Sequence, residues 1–200
     1  MIKKAATLLI SLTAASILIL PSIYSVGNPS LGKKIPFVGM TLSYEVYFMG
    51  YGPRMHARMV TFYGDPTEPD YIWVRDSETF PDELVDDRVF KIDIETRKIV
   101  GEEGYSEALF PTKLHVEDEV IAYWGDPVTI VGSQKMSVMG KTVDAWAAYT
   151  PTEWGGYYTM YYEKKTGIWL GGNIVWYEDD TLCSWAMHLV STNVPLCDED

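Results

Sequence analysis

Adjacent carboxylates are the residues of this sequence whose type and spacing come closest to catalytic or metal-binding chemistry. They occur at three places: Asp86-Asp87, residues 117–119 and Asp179-Asp180. Carboxylate oxygens are the ligands that calcium prefers, and a pair of carboxyl groups can serve as general acid and base. Acidic turns on a solvated surface account for these clusters more simply. We therefore predict no metal site and no catalytic residue, and an extracellular hydrolase that uses Asp179 and Asp180 is the third of three functional hypotheses.

The three histidines, His56, His115 and His188, fall on separate predicted elements. A zinc site needs three or four ligands that converge on one point, and this distribution does not indicate such convergence. The sequence also contains no P-loop, zinc-protease, nucleophile-elbow, Cys-x-x-Cys or EF-hand pattern. We predict no cofactor.

Two short patterns match signatures of penicillin-recognising serine enzymes. Ser30 and Lys33 match Ser-x-x-Lys, and residues 165–167 match Lys-Thr-Gly. The third signature, Ser-Asp-Asn, is absent, and Ser30 lies in a predicted tether instead of a helix. We interpret residues 164–167 as a hairpin turn in which Gly167 takes a positive φ angle.

Aromatic residues give the clearest indication of ligand binding. Eight tyrosines and tryptophans lie between Tyr157 and Trp185, and they occupy both faces of the predicted strands. A sheet with apolar side chains on both faces needs cover on both sides, or else one face is a binding surface. For an apolar or amphipathic ligand, the predicted binding residues are Trp169, Trp176, Trp185 and Met187.

Short strands are the elements that must position these residues. In residues 41–49 apolar and polar side chains alternate, which is typical of a strand with one buried face, and residues 54–63 resume the alternation after a Gly-Pro turn. These two runs predict a hairpin. No long stripe has the helical period, and only residues 80–87 suggest a short helix. Further strands are predicted at residues 71–74, 88–94, 98–100, 127–131, 135–139, 141–149, 156–163, 167–178 and 181–192, the last three as a meander.

The first 27 residues are predicted to be an export signal or a membrane anchor. Lys3 and Lys4 precede a run of sixteen uncharged residues, 5–20. Small residues near the end of the segment allow cleavage, whereas the apolar stretch counted through Val26 is long enough to span a bilayer. Basic residues before such a segment favour a cytoplasmic N-terminus, so we expect the remainder of the chain outside the membrane. Both fates of the leader stay open, with a slight preference for a retained anchor.

Composition and charge limit the classes of partner. Residues 28–36 mix Pro, Gly, Ser and Lys and are interpreted as a tether, and residues 37–200 are expected to form a single domain. The formal net charge of −12 repels phosphate backbones, so nucleic acid is not an expected partner. The expected partners are the membrane, through the N-terminal segment, and either a lipid or other apolar ligand or a protein of the cell envelope.

Cys183 and Cys197 are the two cysteines of the chain. Outside the cytoplasm such a pair can oxidise, and a bridge that closes a loop of this size contributes about 3 kcal/mol in the chain-entropy model. The alternative is two unpaired thiols, because the sequence does not show that the Cα atoms come within bonding distance. We predict the bridge.

Two segments of the second half resemble known β-sheet proteins. Residues 161–170 have the order aromatic, acidic residue, turn, Thr-Gly and apolar strand, and residues 138–146 are similar to the strand that precedes this hairpin. The pairing resembles uncharacterised exported or membrane-anchored archaeal β-sheet proteins and, more distantly, the half-barrel of the bacterial lipoprotein-carrier family. The resemblance implies a curved antiparallel sheet that wraps an apolar cavity. It carries no catalytic residue over to this chain.

These observations predict a mainly all-β protein with an antiparallel curved sheet or incomplete barrel, a C-terminal meander and one N-terminal hydrophobic helix. The leading functional hypothesis is a non-enzymatic, extracytoplasmic, membrane-anchored domain that binds an apolar or amphipathic ligand. The second hypothesis is a structural or protein-interaction module of the cell envelope.

Overall fold

The computed structural model describes most of the predicted extracytoplasmic domain. The described residues are 34–49, 54–80, 83–122, 124–152 and 155–196. In these ranges no helix is long and apolar enough to cross a membrane. The predicted leader, residues 1–27, lies outside them, so its interpretation stays a prediction.

In the part of the chain that is described, ten antiparallel strands form one open, curved sheet. Across the sheet their order is β4-β3-β2-β1-β10-β9-β8-β7-β6-β5. The first four strands and the last six are therefore two meanders, which join in the middle where β1 pairs with β10. The all-β prediction is confirmed. The strands are β1 (Thr41–Met49), β2 (Arg54–Tyr63), β3 (Tyr71–Phe80), β4 (Glu83–Asp93), β5 (Glu119–Ile121), β6 (Pro127–Val138), β7 (Lys141–Pro151), β8 (Tyr157–Glu163), β9 (Trp169–Glu178) and β10 (Thr181–Thr192).

The hairpin of β1 and β2 and the meander of β8, β9 and β10 agree with the sequence analysis. The short helix predicted over residues 80–87 is wrong, because β4 pairs with β3 along its whole length. Asp76 of β3 lies opposite Arg88 of β4, and both continue the inner rows begun by Val74 and Phe90. Polar residues on the inner side of these two strands thus conceal the alternation that identifies a strand.

One face of the sheet, the inner face, carries the main core. Leu42, Tyr44 and Val46 of β1 are almost completely buried there. The connection between β4 and β5 folds over this face, and we call residues 105–110 the covering segment. Its Phe110 ring stacks on the Tyr162 ring with 3.9 Å between centroids. Burial of one such aromatic side chain stabilises the fold by about 2–3 kcal/mol.

Backbone hydrogen bonds fix the covering segment to the turn between β8 and β9. Phe110 N donates to Gly167 O at 2.9 Å, and Trp169 N donates to Ala108 O at 3.1 Å. Gly167 has the predicted positive φ angle, +70°, and a side chain there would collide with the Phe110 carbonyl. The tight turn at Gly167 therefore positions the cover as well as the hairpin.

The C-terminal segment after β10 packs back onto the sheet. Val194 and Leu196 are buried, and Lys141 Nζ donates to Leu196 O at 3.2 Å. Lys141 begins β7 at the end of the sheet far from Cys183, which lies buried near the start of β10. Cys197 is outside the described residues, so the predicted bridge to Cys183 stays a prediction.

Candidate functional site

Five aromatic side chains form a continuous band across one end of the inner face. Phe48 lies directly opposite Trp185 in the pairing of β1 with β10. On the other side of β10, Trp176 of β9 lies opposite Cys183. The remaining two members, Tyr158 of β8 and Trp124 before β6, extend the row. We call Phe48, Trp124, Tyr158, Trp176 and Trp185 the aromatic band.

The rings of the aromatic band contact one another. Trp124 stacks on Tyr158 with 5.5 Å between centroids, and Tyr158 meets Trp185 edge-on at 6.5 Å. Phe48 and Trp176 are 5.8 Å apart although β10 runs between their strands. Cys183 of β10, which lies opposite Trp176, is a small residue and is completely buried. Every ring of the band is half-buried, so each keeps part of its apolar surface exposed.

The structure divides the four sequence-predicted ligand residues into two groups. Trp176 and Trp185 belong to the aromatic band. Trp169 is 1% exposed and Met187 is completely buried, and both lie beneath the covering segment. Trp169 packs between Tyr44, at 5.3 Å between ring centroids, and the Arg58 guanidinium, which lies 5.3 Å above the indole.

Sequence reasoning missed Phe48, Trp124 and Tyr158. Phe48 continues the apolar alternation of β1, and Tyr158 lies in the aromatic run of β8. Both are in phase with Trp185 once the strand register is known. Trp124 lies outside the strands, and no sequence pattern places it there.

A buried charge cluster lies at the centre of the inner face. Arg58, 1% exposed, donates from Nε and Nη2 to the two carboxylate oxygens of Asp76 at 2.8 and 2.5 Å. Its Nη1 donates to Glu107 of the covering segment at 2.7 Å. Beside it, His56 Nε2 and Glu78 Oε2 are 3.1 Å apart. One guanidinium thus holds two buried carboxylates.

Burial and charge act against each other within this cluster. Burial alone lowers the pKa of Arg58, but the charge of Glu107 and the hydrogen bonds to Asp76 outweigh burial and hold that pKa well above its usual value. Burial raises the pKa of Glu107 above its ordinary value, and Arg58 opposes this rise only in part. The cluster therefore places a charged arginine beside a carboxyl group, that of Glu107, whose pKa is raised.

A cavity of about 390 Å³ adjoins the charge cluster between β3, β4 and the connection that covers them. Asp76 and Glu107 contribute carboxylates to its wall, and Phe90 and Ile99 contribute apolar surface. The volume falls within the range of small-molecule sites. The cavity is lined by none of Trp169, Trp176, Trp185 and Met187.

The acidic pairs and histidines of the sequence do not converge. Asp179 and Asp180 are exposed in the turn between β9 and β10, where both have positive φ angles, +47° and +61°, as in a type I′ turn. Asp87 is held by Arg75, whose hydrogen bonds lower its pKa to about 2. In the part of the chain that is described, no three His, Cys, Asp or Glu residues are grouped so that they could hold a metal ion.

Comparison with known proteins gives distant structural likeness alone. No protein-family model and no curated protein sequence matches the chain. A solved structure that matches is a DUF1329 family protein from Desulfovibrio piger, with 10% sequence identity, 80% of this chain and 87% of that chain covered, and a TM-score of 0.22. Because this score is too low to establish a common fold, the likeness carries no information about function.

Proposed function

We propose that this chain is an extracytoplasmic, membrane-attached β-domain that binds an apolar or amphipathic ligand on the aromatic band. The observation that carries the proposal is a row of five half-buried aromatic rings, in two contacting groups, on the inner face of an open sheet. A soluble domain normally buries such rings or uses them for binding. The membrane location rests on the predicted leader, residues 1–27, alone.

The surroundings of the band favour a ligand with one apolar and one polar part. The band itself offers ring faces and edges, which suit acyl chains or fused rings. On the neighbouring strands β2 and β3, the His56–Glu78 pair lies on the same face, because His56 is opposite Val46 and Glu78 is opposite Arg58. An amphipathic molecule placed along the band would therefore direct its polar end toward this pair.

A titration with a fluorescent fatty acid tests the site. The double variant Trp176→Ser, Trp185→Ser removes the centre of the band, and its matched control is Tyr177→Ser. Tyr177 is 64% exposed and points to the opposite face of β9. We expect the wild type and Tyr177→Ser to bind the probe equally and the double variant to bind it at least about tenfold more weakly, since it loses two of the ring contacts. Equal binding by all three proteins would contradict the proposal.

The outer face supports the second candidate, a protein-interaction module. Tyr149 and Tyr157 stack there with 6.0 Å between centroids, and Tyr177 and Leu182 are opposite each other and strongly exposed. An exposed apolar patch of this kind is typical of a surface that contacts another protein. If this face carries the function, Tyr177→Ser weakens cross-linking to envelope proteins while the band variant leaves it unchanged.

A further inference from the structure

A second cavity, of about 580 Å³, lies at the end of the sheet opposite the aromatic band. Four parts of the chain meet there: residues 34–35, the turn after β4, the residues that follow the covering segment, and the turn between β8 and β9. Four of its lining residues are cationic and one, Glu95, is acidic. We call the cavity the basic pocket, and its cations are Lys34, Arg97, Lys113 and Lys165.

Arg97 is fixed in the wall of the basic pocket by backbone carbonyls. Its Nη1 donates to Phe110 O at 2.8 Å and to Thr166 O at 2.6 Å, and its Nη2 donates to Ile35 O at 3.1 Å. Among the described residues no carboxylate forms an ion pair with it. Burial lowers its pKa to about 10, and no acidic group offsets that effect. The guanidinium is thus a rigid, largely buried cation without a counter-charge.

The three lysines give the basic pocket an excess of positive charge. Lys34, Lys113 and Lys165 are all exposed at their ends. The charge of Lys34 acts on the carboxylate of Asp93, whose oxygen already accepts hydrogen bonds from Glu95 N, Thr96 N and Thr96 Oγ1. The lining of the basic pocket has four cationic residues and one acidic residue, Glu95, whereas the whole chain carries a net charge of −12. The four positive charges repel one another, and an anion in the cavity would reduce this repulsion.

We propose that the basic pocket binds a phosphate group, either as a free phosphate or as the headgroup of an anionic phospholipid. Three of the five N–H bonds of Arg97 go to backbone carbonyls, so its fixed charge attracts an anion, and the three lysine ammonium groups supply donors that suit phosphate oxygens. Lys34 lies seven residues beyond the predicted leader, and seven residues span at most about 25 Å. A leader held in a bilayer would therefore keep this pocket close to the lipid headgroups. The site lies far from the aromatic band, so the proposal is independent of ligand binding on that band, and its lipid-headgroup alternative rests on the proposed membrane attachment.

Lysine footprinting of the full chain tests the proposal. The rates at which Lys34, Lys113 and Lys165 react with an acylating reagent are measured by mass spectrometry, with the exposed Lys98 as internal reference. One arm uses the chain in neutral detergent with and without inorganic phosphate. The other uses nanodiscs of phosphatidylcholine with and without phosphatidylglycerol. Both arms are repeated on Lys113→Gln, Lys165→Gln, which leaves the Arg97 hydrogen bonds intact, and on the control Lys98→Gln, in which the exposed Lys135 serves as the reference.

We expect the three pocket lysines to react about threefold more slowly at an anion concentration twice the dissociation constant, while Lys98 is unchanged. In the double glutamine variant Lys34 loses this protection, and in Lys98→Gln the protection persists. Protection by phosphate alone identifies a free phosphate ligand, and protection in phosphatidylglycerol nanodiscs alone identifies a lipid headgroup. Absence of protection in both arms, or protection of Lys98 to the same extent, would overturn the proposal.

Discussion

Arg58 of β2 holds the carboxylate of Asp76 of β3 through two parallel hydrogen bonds of 2.8 and 2.5 Å, and both side chains are almost completely buried. Because Glu107 bonds to the same guanidinium, Arg58 also connects the sheet to its covering segment. Substitution Arg58→Met leaves two buried carboxylates without a partner and is expected to lower the free energy of unfolding by about 3–5 kcal/mol. Urea unfolding measures the change.

The matched control for Arg58→Met is Arg75→Met, which removes an arginine that also forms a two-bonded pair, with Asp87. The side chain of Arg75 is 55% exposed, so solvent screens its ion pair and its loss should cost far less than the loss of Arg58. Similar losses in the two variants would show that the Arg58 cluster does not hold the cover in place.

The effects of Glu107 and Asp87 on the pH dependence of the unfolding free energy are expected to have opposite signs. Burial raises the pKa of folded Glu107 above its ordinary value of 4.5, so the folded state holds this proton more tightly than the unfolded state. The contribution of Glu107 to stability is therefore present below 4.5 and is lost as pH rises through the folded pKa. The free energy of unfolding of the wild type, relative to Glu107→Gln, should fall as pH rises from 4 to 7.

Asp87 should give the opposite sign. Hydrogen bonds from Arg75 lower its pKa from 3.8 to about 2, so its contribution is present above 3.8 and is lost as pH falls toward 2. The difference between the wild type and Asp87→Asn should accordingly shrink in acid. A Glu107 difference that grows as pH rises would mean that Arg58 outweighs burial at this carboxylate.

Replacement of Gly167, in the turn between β8 and β9, is expected to be more costly than replacement of Gly140, in the turn between β6 and β7. Alanine at Gly167 or at Gly140 meets a positive φ, +70° or +77°, which costs about 1 kcal/mol in either case. The site at Gly140 is open, whereas an added Cβ at Gly167 collides with the Phe110 carbonyl and the Arg97 side chain. Gly167→Ala should therefore lose about 1–3 kcal/mol more than Gly140→Ala in urea unfolding. Equal losses of unfolding free energy in the two variants would show that the covering segment moves aside to make room for the added methyl group.

Trp169 and Trp185 are expected to differ in role although the sequence groups them. Trp169 is 1% exposed beneath the cover, so Trp169→Ala should cost about 3–5 kcal/mol of unfolding free energy. Trp185 is half-buried in the aromatic band, and Trp185→Ala should cost clearly less while it weakens binding of the fatty-acid probe. If Trp185→Ala instead lowers the free energy of unfolding more than Trp169→Ala, Trp185 is the core residue. The surface beneath the covering segment then becomes the candidate binding surface.

How much of this fold the sequence predicts depends on which side chains lie on the inner face. β1, β8 and β10 place apolar residues on the inner face, so their alternation predicts them correctly. β3 and β4 place Asp76 and Arg88 there, and the same rule fails. In β6 a register shift between Ile130 and Gly132 changes the phase of the alternation, which explains why one strand was predicted as two.

The candidate site was predictable only in part for a related reason. Trp176 and Trp185 stand out by residue type, but their contact with Phe48 depends on the pairing of β1 with β10, which are distant in sequence. The covering segment has no periodicity of its own, and its position follows from hydrogen bonds of Ala108 and Phe110 with the turn at Gly167. That segment determines that Trp169 and Met187 are core residues.

Native mass spectrometry of the full chain, extracted from membranes in a mild detergent, detects a ligand bound on the aromatic band. We expect the wild type and Tyr177→Ser to carry an additional apolar or amphipathic mass and Trp176→Ser, Trp185→Ser to lack it. A wild-type protein that is observed only as a bare monomer, or a double variant that retains the same bound mass, would contradict ligand binding on the aromatic band.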